Sequence, residues 1–153
     1  MTPIKSYTDI EQSKKLAQIL PIESADMVYF GIHLAMDGKY YLSGTNTEDD
    51  VVPTYKNFCI KVFAKTTESD VINKLPCWSL AALLGVLPKE YTNSKDQVCT
   101  LHIDIVDSET PYLIWYANPE HEGSIVEIKT KEYSNLIDAC YEMVLNLNKL
   151  NLL

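Results

Sequence analysis

The least amphipathic part of the chain is the run from Leu75 to Pro88, which contains no charged residue. The pattern predicts a helix over about Ser79–Leu87, because Pro76 lies just before it, Pro88 forbids its continuation and Ser79 is a suitable N-cap. Beyond Ser79 this segment has no polar stripe. A helix that is apolar on every side is typical of a buried position, either inside the domain or under a partner.

Amphipathic helices are predicted near both ends of the chain. Thr8 and Glu11 have the spacing of a capping box, apolar positions follow as far as Leu20, and Pro21 ends the helix. The last helix is predicted over about Asn135–Leu150, where apolar residues recur at steps of three and four. Its first residue is the expected N-cap.

Between the helices, the pattern predicts five to six strands. They are Met27–Leu34, Lys39–Ser43, Phe58–Phe63, Val98–Val106, Tyr112–Ala117 and Ser124–Lys129. The clearest is Val98–Val106, in which apolar and polar residues alternate as in an antiparallel sheet with one wet face. Its apolar face carries Cys99, Leu101, Ile103 and Ile105, and its polar face carries Thr100, His102 and Asp104. Asp37 and Gly38 are typical of a hairpin turn between the first two strands.

This order of elements predicts an α+β fold. We expect a mostly antiparallel sheet of five to six strands, packed with three helices in two layers. The chain has 153 residues, which is enough for a core of its own, and it shows no internal repeat or linker. A single domain over residues 1–153 is therefore predicted.

Composition narrows the classes of function. The net charge of −8 disfavours a phosphate-binding surface, so we do not expect nucleic acid as a partner. The sequence shows neither a secretory signal nor an apolar run long enough for a membrane span. The cysteines match no metal, redox or disulfide framework: Cys59, Cys77, Cys99 and Cys140. We therefore expect a cytoplasmic protein with free thiols, no metal and no cofactor.

Three segments carry a resemblance. They are Asp9–Leu16 with Leu20, Pro21 and Glu23–Met27; Pro76–Leu84 with Leu87 and Pro88; and Asp138–Met143. They resemble small uncharacterised proteins encoded in gut Bacteroidales genomes and in their phages or mobile elements. The resemblance implies an accessory or host-interaction context and assigns no activity or catalytic residue. Similar sequences more often have alanine at the position of Cys77, which argues against that thiol as a nucleophile.

Two features are candidates for chemistry. His102 and Asp104 lie two positions apart on a predicted strand and so share a face, where they are candidate metal ligands or a base and its orienting group. His121 or Asp107 would supply the third group. Cys77 precedes a helix start, where the helix dipole favours a thiolate. The ordinary interpretations are a wet sheet face and a small apolar filler, so an enzyme is the less favoured hypothesis.

Aromatic residues are abundant on the predicted strands, and such residues are favoured at protein interfaces. Trp78, Trp115 and Tyr116 are the candidate interaction residues, although a tryptophan is also a common core anchor. The leading hypothesis is a small interaction protein that binds another protein or itself. The alternatives are a small enzyme with a polar site near His102 and Asp104, and an acidic mimic of nucleic acid.

Overall fold

A computed structural model of the protein describes residues 5–34, 40–42, 51–55, 74–106, 111–119 and 126–153. The helices of these residues are α1 (Ile10–Leu16), α2 (Leu80–Val86) and α3 (Leu136–Lys149), with a 3-10 helix at Ile22–Ser24. The strands are β1 (Met27–Phe30), β2 (Ile32–Leu34), β3 (Tyr40–Leu42), β4 (Thr54–Tyr55), β5 (Lys74–Cys77), β6 (Glu90–Thr92), β7 (Val98–Ile105), β8 (Tyr112–Ala117) and β9 (Val126–Lys129). No helix in the described ranges is long and apolar enough to cross a membrane.

The protein is α+β with antiparallel pairing, as predicted, but its strands do not form one sheet of five to six strands. The described strands divide into a three-stranded sheet, a two-stranded sheet and a four-stranded sheet. The chain forms two compact units, Asp9–Ala82 and the combination of Met1–Thr8 with Leu83–Leu153. The first two sheets belong to the former unit and the four-stranded sheet to the latter. A single two-layer domain stays a prediction.

Gly31 interrupts the strand that was predicted over Met27–Leu34. Its φ of 64° lies in the left-handed region, which glycine adopts without the penalty of a Cβ atom. β1 therefore pairs in the sheet of order β4-β1-β5, whereas β2 pairs with β3. The antiparallel pairing of β2 with β3 confirms that these two segments pair as predicted. Asp37 and Gly38, the residues predicted to form the turn, lie outside the described residues.

The first helix begins one residue later than the sequence predicts. The N-cap of α1 is Asp9, whose side chain accepts the backbone N–H of Gln12, while the Gln12 side chain accepts the Asp9 backbone N–H. This capping box replaces the predicted pair Thr8 and Glu11, because aspartate is the stronger cap and Thr8 is fully buried. The regular helix ends at Leu16 instead of continuing to Leu20.

Three short strands have no counterpart in the sequence prediction. β4 and β6 have two and three residues, which is too short to show a period of two. β5 contains Pro76, a residue that argues against a central strand. It is nevertheless tolerated, because β5 lies at the edge of its sheet and needs backbone hydrogen bonds on one side only.

The apolar helix α2 forms where the pattern predicts it, but it is not buried on most sides. Ser79 caps it, since its Oγ accepts the Ala82 N–H at 3.3 Å. Leu83 is its only buried residue, and Ala81 and Gly85 are exposed. Alanine and glycine carry little apolar surface, so contact with water at these positions costs little.

The four-stranded sheet has the order β6-β7-β8-β9, with every neighbouring pair antiparallel. Helix α3 packs on β8 and begins at its predicted N-cap, Asn135, whose side chain accepts the Asp138 N–H at 2.8 Å. The buried stripe of the helix consists of Ile137, Ala139, Cys140, Met143, Val144 and Leu147. The buried positions of the sheet include Cys99, Ile114, Tyr116 and Ile128.

Strand β7 has the predicted bounds to within a residue but not the predicted burial. Of its apolar face only Cys99 is buried, and Ile103 and Ile105 are exposed. The reason is the short length of β6, which pairs with β7 only as far as Thr100. Beyond that point β7 has a described strand neighbour on the β8 side alone.

Several sequence expectations fall outside the described residues. These are the strand Phe58–Phe63, together with Cys59, Asp107 and His121. The other three cysteines, Cys77, Cys99 and Cys140, are buried thiols that form no disulfide.

Candidate functional site

An aromatic and polar cluster lies on β7 and β8, and we call it the Trp115 cluster: Thr100, His102, Asp104 and Trp115. The His102 and Trp115 rings are stacked, with centroids 4.2 Å apart and an interplanar angle of 15°. The indole Nε1 of Trp115 donates to Asp104 Oδ2 at 2.7 Å. Thr100 Oγ1 lies 3.1 Å from His102 Nε2, which completes a connected set of side chains.

The strand register places these four side chains on one face. His102 is directly opposite Trp115, and Asp104 is opposite Leu113, so Asp104 and Trp115 are diagonal neighbours. Directly opposite residues share a face, and residues two apart along a strand share it too. The buried Ile114 and Tyr116 have the other parity, and they lie on the face where α3 packs on β8. The Trp115 cluster is therefore on the sheet face opposite α3.

The cluster is partly open to solvent and carries charges of both signs. Asp104 is exposed, while His102 and Trp115 are half-buried. The register adds Glu90 opposite Thr100 and Lys129 opposite Trp115, and both are exposed. An accessible indole surrounded by charged groups is a surface suited to recognition.

The geometry does not assemble the predicted acid–base pair. Asp104 accepts from Trp115, and His102 has Thr100 as its neighbour, so the carboxylate does not orient the imidazole. Within the described ranges, no group of three or more His, Cys, Asp or Glu residues is placed to hold a metal ion. The proposed third groups, His121 and Asp107, lie outside those ranges.

Among the described residues, part of the β7 backbone has no strand partner on the side away from β8. The Leu101 N–H donates to the Lys89 carbonyl oxygen at 2.9 Å on the β6 side. Alternate residues of an antiparallel strand point their backbone groups to the same side, so Ile103 and Ile105 point theirs to the β6 side as well. Among the described residues, no strand pairs with these groups.

We call this segment, Ile103–Val106, the β7 edge. Ile105 is 77% exposed, Val106 50% and Ile103 40%. Unpaired backbone groups flanked by exposed apolar side chains can accept another strand. The sequence did not indicate this surface, because alternating apolar residues are typical of a core-facing strand. The one relevant signal in the sequence is the small number of residues between Pro88 and Asn93, which leaves room for only a short strand before β7.

The other candidate residues are buried. Trp78 is fully buried and donates its indole N–H to Ser24 Oγ at 2.9 Å, so it is a core anchor. Cys77 is fully buried as well, which removes its thiol from substrate. Tyr116 lies on the opposite face from Trp115, is fully buried and donates its hydroxyl to the Pro88 carbonyl oxygen at 2.6 Å. Burial raises the pKa of Tyr116, and so does the nearby Cys140.

Comparisons of the chain with protein-family models, with curated proteins and with solved structures find no match. The fold and the site therefore define only a class: an α+β protein whose four-stranded sheet carries an accessible aromatic and charged face and, in the part of the chain that is described, a strand edge without a partner.

Proposed function

We propose that the protein acts by binding another protein, and that the Trp115 cluster and the β7 edge together form the binding surface. The observation that carries this proposal is the exposure of Ile103, Ile105 and Val106 at the β7 edge, on the strand that also carries His102 and Asp104 of the Trp115 cluster. Ile103 and Ile105 lie on the face of β7 opposite the Trp115 cluster, so a partner that runs along the β7 edge would contact both faces. Exposed apolar residues with polar neighbours are typical of protein-binding sites. Asp104 and His102 supply the polar component of that surface.

An enzyme is the weaker alternative. The sequence predicts that His102 and Asp104 share one face of a strand, and the register places them so. However, their side chains contact Thr100 and Trp115 rather than each other. These contacts fix the two side chains in place. They therefore favour a rigid binding surface over a proton-transfer site.

A nucleic-acid mimic is also less well supported. Such a mimic needs carboxylates that are free to stand in for phosphates. On α3, Asp138 pairs with Lys5 at 2.8 Å, and Glu142 accepts the Lys131 backbone N–H at 2.9 Å. These two acidic groups are already used within the protein.

The resemblance to small proteins of Bacteroidales genomes, phages and mobile elements agrees with an accessory role that depends on binding. We also propose a cytoplasmic location and action as a single domain, which follow from the composition, the cysteine pattern and the lack of a linker in the sequence.

The test is site-specific photo-crosslinking in the cells that make the protein. A photoreactive amino acid replaces Ile105 in one variant and Leu150, which is 54% exposed after α3, in the control. The proposal expects a discrete crosslinked protein from position 105 and none from position 150. That protein is then purified and titrated into the wild type and into the variants Ile105→Lys and Trp115→Ala.

Both substitutions should weaken the affinity by about tenfold or more, because central apolar and aromatic residues contribute most of the binding free energy. Leu150→Lys should leave the affinity unchanged. The proposal is wrong if no position-specific crosslink forms, or if the purified protein binds all variants equally well.

A further inference from the structure

We propose that the partner binds as an extended segment that adds a strand to the β7 edge, with a lysine or arginine opposite Asp104. This inference rests on the proposed function and specifies its binding mode and the chemistry of the partner. Strand addition takes its affinity from backbone hydrogen bonds and its specificity from alternate side chains.

The backbone of β7 supplies the hydrogen-bonding groups. Ile103 and Ile105 direct their N–H and C=O groups away from β8, and pairing with the β6 side ends at Lys89. An added strand could therefore pair along the β7 edge without displacing any strand of the described sheet. The added strand could not extend as far as Leu101, because the Leu101 N–H already donates to the Lys89 carbonyl oxygen.

The side chains of β7 define the pattern that the added strand must carry. Ile103 and Ile105 lie on one face, so the residues opposite them should be apolar and β-branched. Asp104 lies between them on the other face and is exposed. Its Oδ2 accepts from Trp115, and Oδ1 has no hydrogen-bonding partner among the described residues. A cation opposite Asp104 would pair with this second oxygen.

A second copy of the chain fits this edge less well. An antiparallel two-fold pairing that uses all the free backbone groups places Ile103 opposite Ile105 of the second copy. It also places Asp104 directly opposite the same carboxylate of the second copy, and like charges in that position are destabilising. The net charge of −8 opposes self-association further. Charge complementarity therefore favours a basic segment from a different protein.

The experiment uses a short synthetic peptide as the probe. The peptide acetyl-Ser-Thr-Val-Lys-Val-Thr-Ser-amide reads the same in both directions, so it tests parallel and antiparallel addition together. It is titrated to millimolar concentration into the full-length protein labelled with nitrogen-15. The readouts are the amide resonances and the hydrogen exchange rates of Ile103 and Ile105.

We expect the Ile103 and Ile105 amides to shift downfield and to exchange more slowly as the peptide is added. A matched peptide with glutamate in place of lysine should bind about fivefold more weakly, because it places like charges opposite each other. Asp104→Asn should remove that preference. Glu90→Gln, which removes an exposed carboxylate of the same face on β6, should retain it.

Two results would overturn the inference. One is that neither the Ile103 nor the Ile105 amide responds to the lysine peptide. The other is that the glutamate peptide binds as well as the lysine peptide does. Either result can coexist with position-specific crosslinking at Ile105, so strand addition can fail while the protein-binding function stands.

Discussion

Trp115 donates its indole N–H to Asp104 at 2.7 Å, although the two residues are not directly opposite in the strand register. The diagonal contact leans the indole towards the open end of β7 while its ring stays stacked on His102. The Trp115 side chain thus contacts both His102 and Asp104, the two polar residues that the sequence singled out. This arrangement makes the Trp115 cluster a fixed surface, because each member restricts the rotamers of its neighbours.

Replacing Asp104 with alanine should release the indole of Trp115 at small cost in stability. We expect the free energy of unfolding to fall by no more than about 1 kcal/mol, because the hydrogen bond is solvent-exposed. The indole proton resonance of Trp115 should move upfield and exchange faster. The indole of Trp78, which donates to Ser24, is an internal control and should not change. An unchanged Trp115 resonance would contradict the contact.

Hydrogen exchange along β7 should alternate from residue to residue. The Val106 N–H donates to the Pro111 carbonyl oxygen at 2.8 Å, and even-numbered residues of β7 point the same way, towards β8. The amides of His102 and Asp104 should therefore be protected, and those of Ile103 and Ile105 should exchange quickly. Residue-resolved exchange of the free protein checks this, and uniform protection along the strand would show that the edge is covered.

The start of α1 can be assigned by substitution. Asp9→Ala should lower the free energy of unfolding by about 1 kcal/mol, because it removes the side chain that accepts the Gln12 N–H. Glu11→Ala should cost at most about 0.5 kcal/mol, since the pair of Glu11 with Lys14 at 3.2 Å is an exposed i,i+3 pair on the helix surface. Chemical denaturation compares the two variants. A larger effect at Glu11 would favour the capping box that the sequence predicts.

The Asp26 carboxylate accepts two hydrogen bonds from Ser79, the N-cap of α2. Its Oδ1 accepts the Ser79 backbone N–H at 2.9 Å, and its Oδ2 accepts the Ser79 hydroxyl at 2.5 Å. Asp26→Ala should lower the free energy of unfolding by about 1–3 kcal/mol, because both donors lose a charged acceptor. In a double-mutant cycle with Ser79→Ala, the two effects should be less than additive. Additive effects would show that the contact contributes little.

Stability should decline at alkaline pH. Burial raises the pKa of Cys140 from 9.0 to about 12, and burial together with Glu142 raises that of Tyr133 from 10.0 to about 12. Burial raises the pKa of Tyr116 as well. The folded state therefore favours the neutral forms. Their contribution to stability is complete below the pKa values of the unfolded chain and is lost as pH rises through the folded ones.

Measured by denaturation at several pH values, the free energy of unfolding should start to fall above about pH 9 and fall more steeply above about pH 10. Cys140→Ala should make the first part of this decline shallower, whatever its effect on stability at neutral pH. A wild-type stability that is flat up to pH 11 would contradict the buried thiol.

Local pattern was sufficient for some of these elements. β8, β7 and α3 were predicted with nearly their observed bounds, and Asn135 was predicted as a cap, because periodicity and capping chemistry act over a few neighbouring residues. The same local rule put His102 and Asp104 on one face of a strand. The spacing did not decide between Thr8 and Asp9 as the cap, since both satisfy it. The stronger capping by aspartate favours Asp9, and the structure adds that Thr8 is buried.

By itself, the sequence determined the α+β class, the terminal helix and the shared face of His102 and Asp104, since these depend on residues close together in the chain. Only the tertiary structure decided that Trp115 joins that face, because strand register is set by pairing between separate segments. It also decided that Ile103 and Ile105 are exposed rather than core residues. The burial of a strand residue depends on which strand lies next to it. β6 pairs with β7 only as far as Thr100 and so does not cover Ile103 and Ile105.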